Sequence, residues 1–265
     1  MRGGDPAVTD QPGDLSMPRA SVISASGERP TLAGVDGCPG GWIAAILHPD
    51  GGTRVERFAG HDPARLLARA DIGIIVIDVP IGLPDRGSRQ ADLAARRLLG
   101  RPRASSVFPA PLRSMLGAVT ADSALEIWSR AAAIGREVEG RACSRQLAAI
   151  LPRIAAVDRR VTPVLQDRLV EGHPEVSFAL LARRRGLRHQ KRAPAGRTER
   201  LGLLRPHFPD ILERRDRVAG GVGCDAVDAY ALLWTARRLS CGEEIRLPEG
   251  SVQRDRRGLR CEIVA

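Results

Sequence analysis

The run Ile72-Gly73-Ile74-Ile75-Val76-Ile77-Asp78 leaves this chain little choice of architecture. A continuous β-branched stretch of strand length predicts a strand buried on both faces, and such strands belong to sheets covered by helices. The residues before it supply the rest of the sheet. Residues 32–36 form a short apolar run ending in Asp36, and Gly37-Cys38-Pro39-Gly40-Gly41 reads as a turn. Residues 42–47 predict a second strand, residues 48–52 turn again, and residues 53–58 give a third. Asp62 is placed to cap a helix over residues 63–70, with Leu66 and Leu67 as its apolar contacts. Strand, strand, strand, helix, strand in this order predicts a mixed α/β sheet whose first and fourth strands are parallel neighbours.

Downstream, residues 89–99, 123–135 and 144–160 read as helices, the last broken near Pro152, and residues 104–111 as a loop. Together they suggest a mainly helical insertion over about residues 85–165. Residues 169–173 predict a fifth strand and residues 176–185 a helix. A basic loop over 186–196 and a helix over 197–204 follow. Residues 225–239 form the strongest amphipathic helix, carrying Ala229, Leu232, Leu233 and Ala236. Residues 1–30, rich in Gly, Pro, Ser and Asp, read as a disordered leader with an alternative start at Met17. The main domain is expected over residues 31–245, with residues 246–265 as a C-terminal tail.

Composition narrows the function classes. Hydrophobic residues at 43% and charged residues at 27% are ordinary for a globular protein. No apolar run approaches the length of a membrane span, and no basic segment leads into an apolar core as in a secretory signal. Five scattered cysteines without a C-x-x-C pair indicate neither a zinc site nor a disulfide framework, which points to reduced thiols in the cytoplasm. The formal charge of +10 attracts phosphate polymers, although a single lysine among 41 basic residues also reflects a broad bias toward arginine. Aromatics at 3% argue against a stacking platform for single strands.

The residues that carry chemistry are aspartates. Asp36 and Asp78 each close a predicted strand, at the sheet edge where α/β proteins place their sites. If the strands are adjacent, about 5 Å apart, the carboxylates converge and repel unless a cation joins them. Asp225 and Asp228 share a helix face in a first turn. Asp225 is either a cap favoured by the helix dipole or a ligand. Asp228 borders the buried stripe and wants an arginine or a metal as partner. Strand-end Asp, strand-end Asp and a helical D-x-x-D together suit Mg²⁺ or Mn²⁺ and a two-metal phosphodiester hydrolysis.

Five stretches carry a resemblance: Gly34-Val35-Asp36-Gly37-Cys38-Pro39-Gly40-Gly41-Trp42, Ile77-Asp78-Val79-Pro80-Ile81-Gly82-Leu83-Pro84, Ser105-Ser106-Val107-Phe108-Pro109-Ala110-Pro111, His173-Pro174-Glu175-Val176-Ser177-Phe178 and Asp225-Ala226-Val227-Asp228-Ala229. With Ser144-Arg145-Gln146 between them, they resemble a family of uncharacterised proteins described as predicted nucleases of ribonuclease H-like fold, over residues 31–240. The last stretch also resembles the final helix of RuvC-type junction resolvases. The resemblance implies a five-stranded ribonuclease H-like sheet flanked by helices, with Asp36, Asp78 and Asp228 as metal ligands and Asp225 as a fourth. It places Glu175 where relatives carry a catalytic carboxylate, a position that equally suits a helix N-terminus. His173 reads as an orienting group or as a merely hydrogen-bonded one. Ser105 and Ser106 fit a phosphate-facing loop or plain loop structure. Lys191 and Arg192 fit a phosphate contact or a solvated face. Nucleic acid is the implied partner. The alternatives are a nucleotide-dependent phosphotransferase or hydrolase on the same fold, and a non-catalytic binding protein that keeps it. Oligomeric state is not legible.

Overall fold

Strand pairing follows the hydrophobic runs. In the computed structural model, which describes residues 30–184, 186–216 and 223–265, five strands join in the order β3-β2-β1-β4-β5. β1 (Thr31–Cys38) pairs antiparallel with β2 (Gly41–Leu47), which pairs antiparallel with β3 (Thr53–Ala59). α1 (Ala64–Leu67) is a single turn, shorter than expected, begun by Asp62 Oδ1 accepting the Ala64 N–H at 3.0 Å. β4 (Ile72–Ile77) runs parallel to β1 on one side and to β5 (Leu169–Glu171) on the other. This is the mixed sheet predicted from the sequence, with the first and fourth strands adjacent. β1 runs two residues past Asp36, because Gly37 and Cys38 stay paired with Trp42 and Gly41.

Between β4 and β5 lie α2 (Gln90–Leu99), 3-10 turns at Arg103–Ser106 and Arg113–Thr120, α3 (Ala124–Glu139) and α4 (Arg145–Arg160). α4 is continuous through Pro152, where a break was expected. Proline removes one intrahelical hydrogen bond and costs a helix interior about 3 kcal/mol. Burial of Leu147, Leu151, Ile154 and Val157 on the sheet outweighs that cost, and Ser144 Oγ caps the start by accepting the Leu147 N–H at 3.1 Å.

After β5 come α5 (Pro174–Leu181), α6 (Pro194–Leu204), α7 (Ile211–Asp216) and α8 (Gly223–Cys241). The sheet is the middle of three layers. Val35, Trp42, Ala44, Ile46, Ile75 and Ile77 face the helical region that follows β4. Leu32, Ile43, Ala45, Ile74 and Val76 face α8 and α6, as the period of two along each strand requires. α8 lies directly on β1 at Gly34, where an added Cβ would stand 2.0 Å from Leu233 N and 2.2 Å from Ala229 O. Only glycine permits that approach.

The last twenty residues do not hang free as a tail. β6 (Arg246–Leu247) pairs antiparallel with β7 (Ile263–Val264), Ile245 and Ala265 exchange backbone hydrogen bonds, and Val264 bridges to Gly172 beside β5. The leader expected over residues 1–30 falls, apart from Pro30, outside the described residues. Among the described residues no helix is long and apolar enough to cross a membrane.

Candidate functional site

Three backbone features bring the acidic residues to one place. The Asp78 N–H donates to Val35 O at 2.9 Å, extending the parallel pairing one residue beyond β4 and setting Asp78 beside Asp36. The Gly172 N–H donates to Ile77 O at 3.0 Å and carries the chain past the same edge into His173 and Glu175. The contact of α8 at Gly34 delivers Asp228 from the other side of β1.

Asp36 is buried, and its Oδ1 accepts the Gly37 N–H at 2.7 Å. Burial first, and then the charges of Asp78 and Asp228, hold its carboxyl well above the usual range. Asp78 is raised by burial too, a rise that His173, Lys191 and the neighbouring Asp36 carboxyl partly offset. Burial pushes Asp228 up to about 6 against the pull of Lys191. Asp225, half-buried in the first turn of α8, is raised by burial and opposed by Lys191, Arg153 and Arg192. It lies two residues inside the helix and is not a cap.

Lys191 reaches this cluster from the loop before α6. Its Nζ stands 2.7 Å from Asp228 Oδ2. Burial works against its charge, but Asp228, Asp36 and Asp78 more than offset that and hold the ammonium above its ordinary value. Glu175 sits in the first turn of α5, with Oε1 paired to the buried Arg200 guanidinium, which also lies over the Phe178 ring. Its Oε2 is buried without a hydrogen-bond partner, as is Nδ1 of His173.

The structure thus gathers Asp36, Asp78, Asp225, Asp228, Glu175 and Lys191 into one electrostatic neighbourhood, with Arg192 exposed at its edge beside Asp225. Ser105 and Ser106 stand apart from it. Their hydroxyls donate to Pro102 O and Arg103 O within their own turn. That turn touches the Lys191 loop instead, through Arg103 Nε on Leu187 O at 3.1 Å and Arg103 Nη2 on His189 O.

Two further cations belong to the site, Arg200 and Arg153. Arg200 belongs to the basic stretch that runs from Lys191 through Arg192 and Arg197 into the following helix, whereas nothing in the sequence sets Arg153 apart, because arginines occur throughout the chain. Their positions follow from which helix packs where.

The donors match a divalent cation in kind: hard carboxylate oxygens, buried together at a cost that a cation would remove, one of them (Glu175 Oε2) unsatisfied. They are not a closed ligand set as the side chains stand. Among the described residues no three His, Cys, Asp or Glu groups are drawn together as metal ligands, and the Lys191 ammonium holds one oxygen of Asp228.

No curated protein and no solved structure matches this chain. A family match spans residues 34–252 and takes in every acidic residue of the cluster together with Lys191 and the α4 helix. The chain therefore belongs to the family described as Protein of unknown function (DUF429).

Proposed function

We propose that this protein is a metal-dependent phosphodiester hydrolase acting on nucleic acid, a nuclease that uses Mg²⁺ or Mn²⁺. The observation that carries the reading is the convergence of Asp36, Asp78 and Asp228, from three separate elements, on one spot where burial raises all three carboxyls, Asp78 and Asp228 raise Asp36 further, and Asp78 raises Asp228. Buried like charges are a burden on folding unless the site has a use for them. Asp36, Asp78 and Asp228 would hold the ion, with Asp225 at its margin. Bound there, a divalent ion supplies Lewis acidity toward a phosphoryl oxygen and lowers the pKa of a water molecule. Glu175, fixed by Arg200 through one oxygen, offers the other to take a proton from attacking water. Lys191 and Arg192 offer cationic contacts to the phosphate backbone. A cytoplasmic location accords with five unpaired cysteines.

The Lys191–Asp228 pair favours a second reading, in which the lysine neutralises the cluster permanently and the protein binds partners without catalysis. Thermal unfolding separates the two. Wild type, Asp36→Asn and Asp78→Asn are melted in EDTA, Mg²⁺ and Mn²⁺. A ligand at about 100 times its Kd stabilises the folded state by about 3 kcal/mol. Mn²⁺ is expected to raise the wild-type Tm and leave both variants unmoved. In EDTA both variants should melt above wild type, since each lacks one buried negative charge. Identical wild-type curves in EDTA and Mn²⁺ would sink the hydrolase reading and leave the second. A positive response is followed by a cleavage screen over DNA and RNA, single- and double-stranded.

A further inference from the structure

We propose that Arg153 is a substrate-contacting residue whose guanidinium binds a backbone phosphate of the nucleic acid, so that the helical region after β4 forms one wall of the substrate groove. The inference rests on the nucleic-acid reading above and assigns that groove its second side.

Arg153 stands on α4, in the layer opposite α8 and the Lys191 loop. Its side chain reaches over the end of β1. Nη2 donates to Cys38 O, and the guanidinium carbon lies 6.0 Å from the centre of the Trp42 ring. Gly37 makes room for it: a Cβ there would come within 3.3 Å of Arg153 Cδ and Nε. Arg153 thus packs closely against the backbone of the residue after Asp36.

What marks this arginine is what it lacks. Its Nε is buried with no hydrogen-bond partner, and no carboxylate lies within ion-pair distance among the described residues. Arg113 and Arg200 also bury an Nε without a partner, but each is paired with a carboxylate, Asp158 and Glu175, as Arg160 is with Asp62; Arg153 has no such counter-charge among the described residues. A buried guanidinium N–H without an acceptor is costly. A phosphate supplies the counter-charge that the guanidinium lacks, and the planar fork of arginine suits phosphate better than the point charge of lysine. The location agrees. Asp225 feels Lys191 and Arg192 from one layer and Arg153 from the other, so the acidic floor lies between two cationic flanks. A polyanion laid across that floor meets a cation on each side. With aromatics at 3%, grip on the backbone is the contact this chain is equipped to make.

The test is fluorescence anisotropy with a labelled DNA duplex, an RNA duplex of the same sequence and the single DNA strand, with Ca²⁺ in place of Mg²⁺, over a series of KCl concentrations. Arg153→Ala should weaken binding about tenfold on whichever probe the wild type binds. It should also reduce the slope of log Kd against log salt by about one, as loss of one phosphate contact requires. Arg153→Lys should keep the slope and recover part of the affinity. Arg159→Ala, exposed at the end of the same helix, serves as the control and should change neither. The Tm of Arg153→Ala should stay close to that of wild type, because loss of the Cys38 hydrogen bond and the Trp42 contact is offset by removal of an unsatisfied buried donor. Wild-type affinity and slope in Arg153→Ala would overturn the assignment and leave the hydrolase reading intact. Failure of the wild type to bind any of the three probes would overturn both.

Discussion

Glu171, Arg89 and Asp92 are buried together where β5 meets the start of α2, with two carboxylates sharing one guanidinium. Arg89 donates to both oxygens of Glu171 at 2.7 Å, and the Ile81 N–H adds a third bond at 2.7 Å. Charge still does not balance. Burial pushes Glu171 up to about 7 despite the pull of Arg89. The sign of the effect follows from the raised folded value. Below the unfolded pKa of about 4.5 the group is protonated in both states, and its contribution to stability is fully present. As pH rises through about 7 the folded state must ionise, and that contribution is lost. The loss is on the order of 3 kcal/mol. Urea unfolding of wild type and Glu171→Gln from pH 4 to 8 measures it as a difference. The gap between them should shift with pH over this window by that amount, with wild type losing ground as pH rises. A constant gap would mean that Glu171 is ionised throughout.

At the scale of elements, the site depends on how closely α8 approaches β1. Gly34→Ala drives a methyl group into the backbone of α8, and neither strand nor helix can yield locally. Overpacking of this kind costs about 3 kcal/mol. The variant is expected to lose that much in urea unfolding, and because Asp228 moves away from Asp36, any Mn²⁺ response should weaken with it. Retained stability would mean that α8 does not rest on Gly34. The sheet itself was legible in the sequence because β-branched runs and period-two alternation report burial directly, and so was the gathering of Asp36, Asp78 and Asp228. Other features were hidden for identifiable reasons. Pro152 signals a break locally, but the apolar stripe of α4 overrides it through tertiary packing. β6 and β7 are two residues each, too short for any periodicity to mark. Arg153 differs from the other arginines only in what surrounds it.

Over the whole molecule, the C-terminal segment is a clamp joining parts far apart in sequence. Asp255 accepts hydrogen bonds from the Leu83 and Leu259 backbones and pairs with Arg113, while Gln166 and Arg260 exchange two backbone-to-side-chain bonds at 3.0 and 2.7 Å. Leu259, Cys261, Ile263, Val264 and Ala265 are all buried. Deleting residues 259–265 should therefore cost about 5 kcal/mol, a large share of a domain's stability. Melting followed by circular dichroism should show a much lower or absent transition, and an unchanged Tm would make the segment dispensable. The Lys191–Asp228 pair has a molecular consequence of its own. A divalent ion that took Asp228 Oδ2 would have to displace the ammonium, so that loading there would be an ion exchange adding about one unit of charge to the site rather than two. An ammonium so displaced would stay tethered at the rim by the Lys191 loop, a cation held in reserve beside the acidic cluster.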